Sequence, residues 1–162
     1  MNKNRLKLFC FSFVFLLFYE SYSQNLTFND LKYLLEHNVE SSDTYITKKG
    51  FKYYKVEKYD YCDAMIWSFD RNTYNDRAQA FIAKNCYEAS LGFILYQLGE
   101  QTTFNKIKEY CKSIGFRLTK TETSPFNDLC STFENTKYKI EFCSGLNENT
   151  NLNSYTITLE LK

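Results

Sequence analysis

The sequence predicts an α+β fold of two tandem units, each a helix followed by four antiparallel strands, with the helices on one face of a meander sheet of eight strands, continuous or split. Three observations lead there. Short matches recur in the same order in the two halves of the chain. Two stretches repeat apolar residues at helical spacing. The remainder breaks into alternating runs bounded by turn residues.

The matches are these. Thr27-Phe28-Asn29-Asp30-Leu31-Lys32 returns as Thr103-Phe104-Asn105-Lys106-Ile107-Lys108. Gly50-Phe51-Lys52 returns as Gly115-Phe116-Arg117, and Ser68-Phe69-Asp70-Arg71-Asn72-Thr73 as Thr132-Phe133-Glu134-Asn135-Thr136. The first half is longer by a segment around 40–49.

The chain begins with Lys3, Arg5 and Lys7, then an apolar run from Leu8 to Tyr19, then the small residues Ser21 and Ser23. That is the layout of a secretory signal peptide over 1–23, with cleavage before Gln24. The apolar run has 12 residues, short of the ~20 a spanning helix needs. Cys10 lies inside the run, where a lipidated cysteine would follow it. The expectation is a secreted or periplasmic domain over 24–162, made of repeats at about 24–99 and 100–162. This region keeps 17 of the 20 basic residues and 18 of the 19 acidic ones. No basic excess draws it to nucleic acid or an anionic membrane surface.

Each unit opens with a helix. Thr27 and Thr103 are expected N-caps, because a hydroxyl accepts from an unpaired first-turn amide. Phe28, Leu31, Leu34 and Leu35 share one face of the first helix; Phe104, Ile107, Cys111 and Ile114 share one of the second. Gly115 ends the second helix. Ser41-Ser42-Asp43 starts a short extra helix that stops at Gly50.

Strands are expected at 51–57, 62–69, 79–87 and 90–98, then at 116–122, 128–134, 137–143 and 153–161. A hairpin centred on Tyr74 would set Trp67 against Phe81 and Cys62 against Cys86. A turn at Asn135-Thr136 would set Phe133 against Tyr138, Leu129 against Phe142 and Cys130 against Glu141.

This two-unit order resembles the layout of the secreted β-lactamase inhibitor proteins, whose helices and four strands are duplicated. The signal ending in Ser-Gln, with many Asn, Lys, Tyr and Phe, resembles uncharacterised small exported proteins of the Bacteroidetes type. The first resemblance implies inhibition of an extracytoplasmic enzyme. The second implies export and no particular chemistry.

Export makes disulfides the expected state of the cysteines. Cys62–Cys86 is the pair the register favours. Cys130–Cys143 share a face and need a bulge or a two-residue shift. Cys111 is expected as a buried thiol, with pairing to Cys130 or Cys143 left open. No two cysteines have zinc-knuckle spacing, so no metal is expected.

No elbow, phosphate loop or dinucleotide fingerprint is present. His37, the single histidine, ends the first helix, where a cation suits the dipole. Asp60, Asp63 and Asp70, or Glu134 and Glu141, are the available acid pairs. Asp70, Asn72 and Asn75 hint at calcium, but Tyr74 interrupts the donor series. Asn25-Leu26-Thr27 is a glycosylation acceptor. No cofactor is implied. The reading is an exported, non-enzymatic binding domain whose partner is another protein. The contact surface is the sheet face opposite the helices or the loops at one sheet edge. The candidate contacts are Tyr53, Tyr54, Tyr59, Tyr61 and Tyr74. The alternative is a protein inhibitor or immunity protein.

Overall fold

The computed structural model describes residues 26–58, 63–74, 77–85, 92–147 and 152–162. The expected signal segment 1–23, Asn25, Tyr59, Asp60, Tyr61, Cys62, Asn75 and Cys86 lie outside the described residues. Three helices and eight strands follow in the order α1 (Phe28–Glu36), α2 (Val39–Lys48), β1 (Lys52–Lys58), β2 (Asp63–Phe69), β3 (Ala80–Asn85), β4 (Phe93–Leu98), α3 (Gln101–Ser113), β5 (Arg117–Thr123), β6 (Leu129–Glu134), β7 (Tyr138–Asn147) and β8 (Leu152–Leu161).

The eight strands form one sheet in the order β1-β2-β3-β4-β8-β7-β6-β5, every pair antiparallel. This corrects the expected two tandem helix-plus-four-strand units. β4 pairs along its whole length with β8, from Phe93↔Glu160 to Leu98↔Tyr155. The pairing sets Ile94 against Leu159 and Tyr96 against Ile157, all at most 1% exposed. Two self-contained units would leave those side chains on sheet edges. Short helices cover the result, and α1 packs on both β4 and β8.

One face of the sheet carries the core. Trp67, Ile82, Ile94, Tyr96, Ile140, Phe142, Ile157 and Leu159 meet Leu31, Leu34, Ile46, Phe104 and Ile107 from the helices. Ala64, Ile66 and Cys130 are buried yet stand outside this cluster. By the alternation of side chains they belong to the opposite, helix-free face.

Local chemistry explains the helix ends. Thr27 forms a capping box with Asp30: its Oγ1 accepts from the Asp30 amide at 3.3 Å, and the Thr27 amide donates to Asp30 Oδ2 at 2.7 Å. Burial raises the affinity of Asp30 for a proton. Hydrogen bonds from Tyr45, Thr27 and Lys49 outweigh it and hold the carboxyl below its ordinary range. The same contact, added to burial, pushes the Tyr45 hydroxyl up to about 12. Asn38 caps α2 by accepting from the Ser41 amide at 2.9 Å, so that helix begins ahead of Ser41. Thr103 is no N-cap. α3 starts at Gln101 after Glu100, and Thr103 Oγ1 donates to Glu100 Oε2 at 2.8 Å. The C-terminus of α1 has no basic residue of its own. The buried Lys84 of β3 donates to the Leu34 carbonyl instead. Gly50 and Gly115 both have φ near +90° and both precede a buried phenylalanine.

Two registers differ from expectation. β2–β3 is shifted by one residue, with Trp67 opposite Ile82. The run Ala80-Phe81-Ile82-Ala83 is apolar on both faces, so alternation does not choose between them. β6–β7 is shifted by two. Asn135 Oδ1 accepts from the amides of Lys137 and Tyr138, both at 2.8 Å, and the Asn135 amide donates to the Tyr138 carbonyl. This side-chain turn holds 135–138 as one loop and moves the first strand pair out to Glu134↔Lys139.

Candidate functional site

Register defines two ends of the sheet. One end gathers residues 70–74 and 77–79, Gly99, the β5–β6 turn at 124–128, the end of β7 and the start of β8. It also holds the start of β1, since Lys52 pairs with Ser68. This is the loop end. The far end holds the 135–138 turn, Glu134, Glu160 and Lys162.

Ten large apolar side chains among the described residues are exposed. Six of them sit at the loop end: Tyr53, Tyr74, Phe126, Leu129, Leu146 and Leu152. Tyr74 is 99% exposed and Phe126 83%. Single exposed apolar residues are ordinary. The six are spread along this end from β1 at one sheet edge to the β5–β6 turn at the other, which makes it the candidate contact surface.

A recess of about 380 Å³ opens at this end where β3, β4 and β8 meet. Arg77, Gln79, Phe81, Gln97 and Ser154 are among its lining residues. Gln97 Nε2 donates to Ser154 Oγ at 3.2 Å. Beside it, the Tyr54 ring lies 5.9 Å from Phe81, and the Arg71 guanidinium stands 4.2 Å over Tyr54. An arginine, amides and aromatic rings equip this patch for hydrogen bonding and ring contacts. A second, more apolar groove of about 290 Å³ lies between α1 and α3, with Leu26, Phe28, Ile107 and Tyr110 in its wall.

The predicted tyrosines do not form one surface. Tyr53 pairs opposite Trp67 and so shares the helix-side face, beyond the helices and 55% exposed. Tyr54 sits at the β1 irregularity and meets Phe81 on the helix-free face. Tyr74 stands on the 70–79 loop, where Asn72 Oδ1 accepts from its amide at 2.9 Å. Tyr59 and Tyr61 lie outside the described residues. Sequence reading missed Phe126, Leu129, Leu146 and Leu152. The Ser124-Pro125 and Asn127 turn signals were available to find the first of them.

The Cys130–Cys143 bridge is formed, with the two residues directly opposite and Cα atoms 4.0 Å apart. The two-residue register shift brings them together. Glu141 lies beside the bridge, its Oε2 3.5 Å from Cys143 Sγ. Two sulfurs bonded to each other are not thiolate ligands, so this grouping makes no metal centre. Cys111 is a buried free thiol, pushed by burial up to about 12. Cys62 and Cys86 lie outside the described residues. His37 caps α1, bonds the Tyr33 carbonyl through Nδ1 at 2.8 Å and stacks on the Tyr33 ring. Asp70 and Asn72 hold their own loop: Asp70 accepts from Gln79, and Asn72 makes the turn to Tyr74. Glu134 is bridged by Lys162 at 2.6 Å, which holds its carboxyl below the ordinary range.

Comparison with protein-family models, with curated proteins and with solved structures finds no match to this chain. Among the described residues no helix is long and apolar enough to cross a membrane.

Proposed function

We propose that this chain is an exported, non-enzymatic binding domain that contacts another protein through the loop end of its sheet. The observation that carries the reading is the gathering of six exposed large apolar side chains at that end. Protein interfaces bury such side chains within a polar rim, and Arg77, Gln79 and Asn153 line the recess at the same end, beside Leu152. The Cys130–Cys143 bridge supports an oxidising compartment, and with it export. The reading involves no cofactor, no nucleic acid and no membrane contact after the leader is removed.

The test is retention of envelope proteins on the immobilised 24–162 domain. The parent domain should retain a specific protein. Tyr74→Ala combined with Phe126→Ala should lose it, and Lys137→Ala at the far end should keep it. Retention lost through Tyr110→Ala on α3, and untouched by the loop-end changes, would move the site to the α1–α3 groove. The identity of the retained protein separates a structural or surface partner from the enzyme that an inhibitor or immunity protein would require.

A further inference from the structure

Within the loop end the β5–β6 turn is closed by its own hydrogen bonds. Ser124 Oγ accepts from the amides of Phe126 and Asp128, both at 3.1 Å. The Ser124 amide donates to the Asp128 carbonyl at 2.8 Å, and the Asn127 amide to the Ser124 carbonyl at 3.0 Å. Pro125, the one proline of the chain, has a fixed φ next to Phe126. Asn127 takes a left-handed φ of 62°, which asparagine tolerates. The turn is also seated on β7. A Cβ on Gly145 would come within 1.6 Å of Asp128 Oδ1, so glycine there is what admits the aspartate.

Phe126 therefore projects from a backbone that has little freedom left to lose. Leu129 starts β6 opposite Ser144, and Leu146 lies two residues beyond on the same side of β7. These three residues are all more than half exposed and stand together at the tip. Two residues along the turn from Phe126, the Asp128 carboxylate lies against Gly145 and has no cation within ion-pair distance among the described residues.

We infer that Phe126 is the anchor of the proposed contact surface and enters an apolar pocket with a basic lip on a folded partner protein. This rests on the loop-end reading and deepens it. A rigid aromatic side chain needs a concavity to remove it from water, and prior ordering lowers the entropy lost on binding. The adjacent carboxylate selects a cationic rim. The same carboxylate opposes insertion into lipid, where it would lose hydration. A symmetric contact between two copies would bring two such carboxylates together.

The experiment places a photo-reactive benzoylphenylalanine at 126, and in parallel at 74 and at 110. The full chain with its own leader is used, in the cells that export it. Position 126 should crosslink to a folded protein, at residues that mass spectrometry maps to an apolar pocket. Excess wild-type domain should suppress that crosslink. Phe126→Ala, folded by its circular dichroism and melting curve, should need at least ~30-fold more to do so. Asp128→Asn should compete several-fold less well and with a shallower salt dependence. Crosslinks at 74 without 126 would leave the loop-end reading standing and remove the anchor. Crosslinks at 110 alone would remove both. Capture of lipid or of a second copy at 126 would overturn the inference, as would silence at every position.

Discussion

The two ends of the sheet differ in what their described residues present. At the far end charge is matched to charge: Lys139 meets Glu160 at 3.2 Å, Lys162 meets Glu134 at 2.6 Å, and Glu36 accepts from both Lys137 and Tyr138. The last contacts tie α1 to the β6–β7 turn. At the loop end the turns are held by their own side chains, and the large apolar groups face water. The far end therefore reads as fastening and the loop end as a surface left for contact.

Substitutions at the two ends and between them should differ in size of effect. The largest effect should come from the seam both ends share. Ile157 is fully buried opposite Tyr96, and Ile157→Ala should cost about 2–5 kcal/mol by urea denaturation. A loss below about 1 kcal/mol would mean that β8 is not the centre of one core.

Acid should act next, through the carboxylates that fasten the helix layer. Asp30 and Glu36 both have folded-state affinities for protons below their unfolded values. For Asp30, hydrogen bonds outweigh the burial that opposes them. For Glu36, the hydrogen bonds from Lys137 and then Tyr138 dominate. A depressed carboxyl stabilises the fold above its unfolded value and loses that contribution as pH falls through the folded one. The urea midpoint should be flat from pH 7 to about 5 and fall below about 4. Asp30→Asn should start lower at pH 7 and fall less. An unchanged slope in that variant would contradict the assignment.

The smallest effect on stability should come from the loop end itself. Phe126→Ala removes a ring that is 83% exposed, and the urea midpoint should stay within about 0.5 kcal/mol of the parent. A loss of 2 kcal/mol or more would make Phe126 part of the fold and end its role as a contact.

Much of this fold was legible in the sequence. Alternation located all eight strands to within a few residues, because half-buried strands carry period-two patterns. Thr27 was readable as the N-cap of α1, while its reciprocal bond with Asp30 was not read. The registers were harder. β3 is apolar on both faces, and the β6–β7 loop is set by one asparagine side chain. Whether the sheet was continuous or split stayed open for a related reason: an apolar strand reads alike whether its neighbour is local or, as for β4 and β8, distant. The tyrosine-based surface named residues without assigning them to faces. Composition does not show that Tyr53 and Tyr54 diverge to opposite faces. The Phe126 turn carried a signal in Ser124-Pro125, but exposure of the ring depends on the whole sheet end.

Both ends depend on one claim, that β4 and β8 join the strands into a single sheet. Backbone hydrogen exchange tests it most directly. Amides of 94–98 and 155–159 should be among the slowest in the molecule and exchange together, at the rate of global unfolding. Fast exchange along those two strands, or separate unfolding of 26–99 and 100–162, would contradict it.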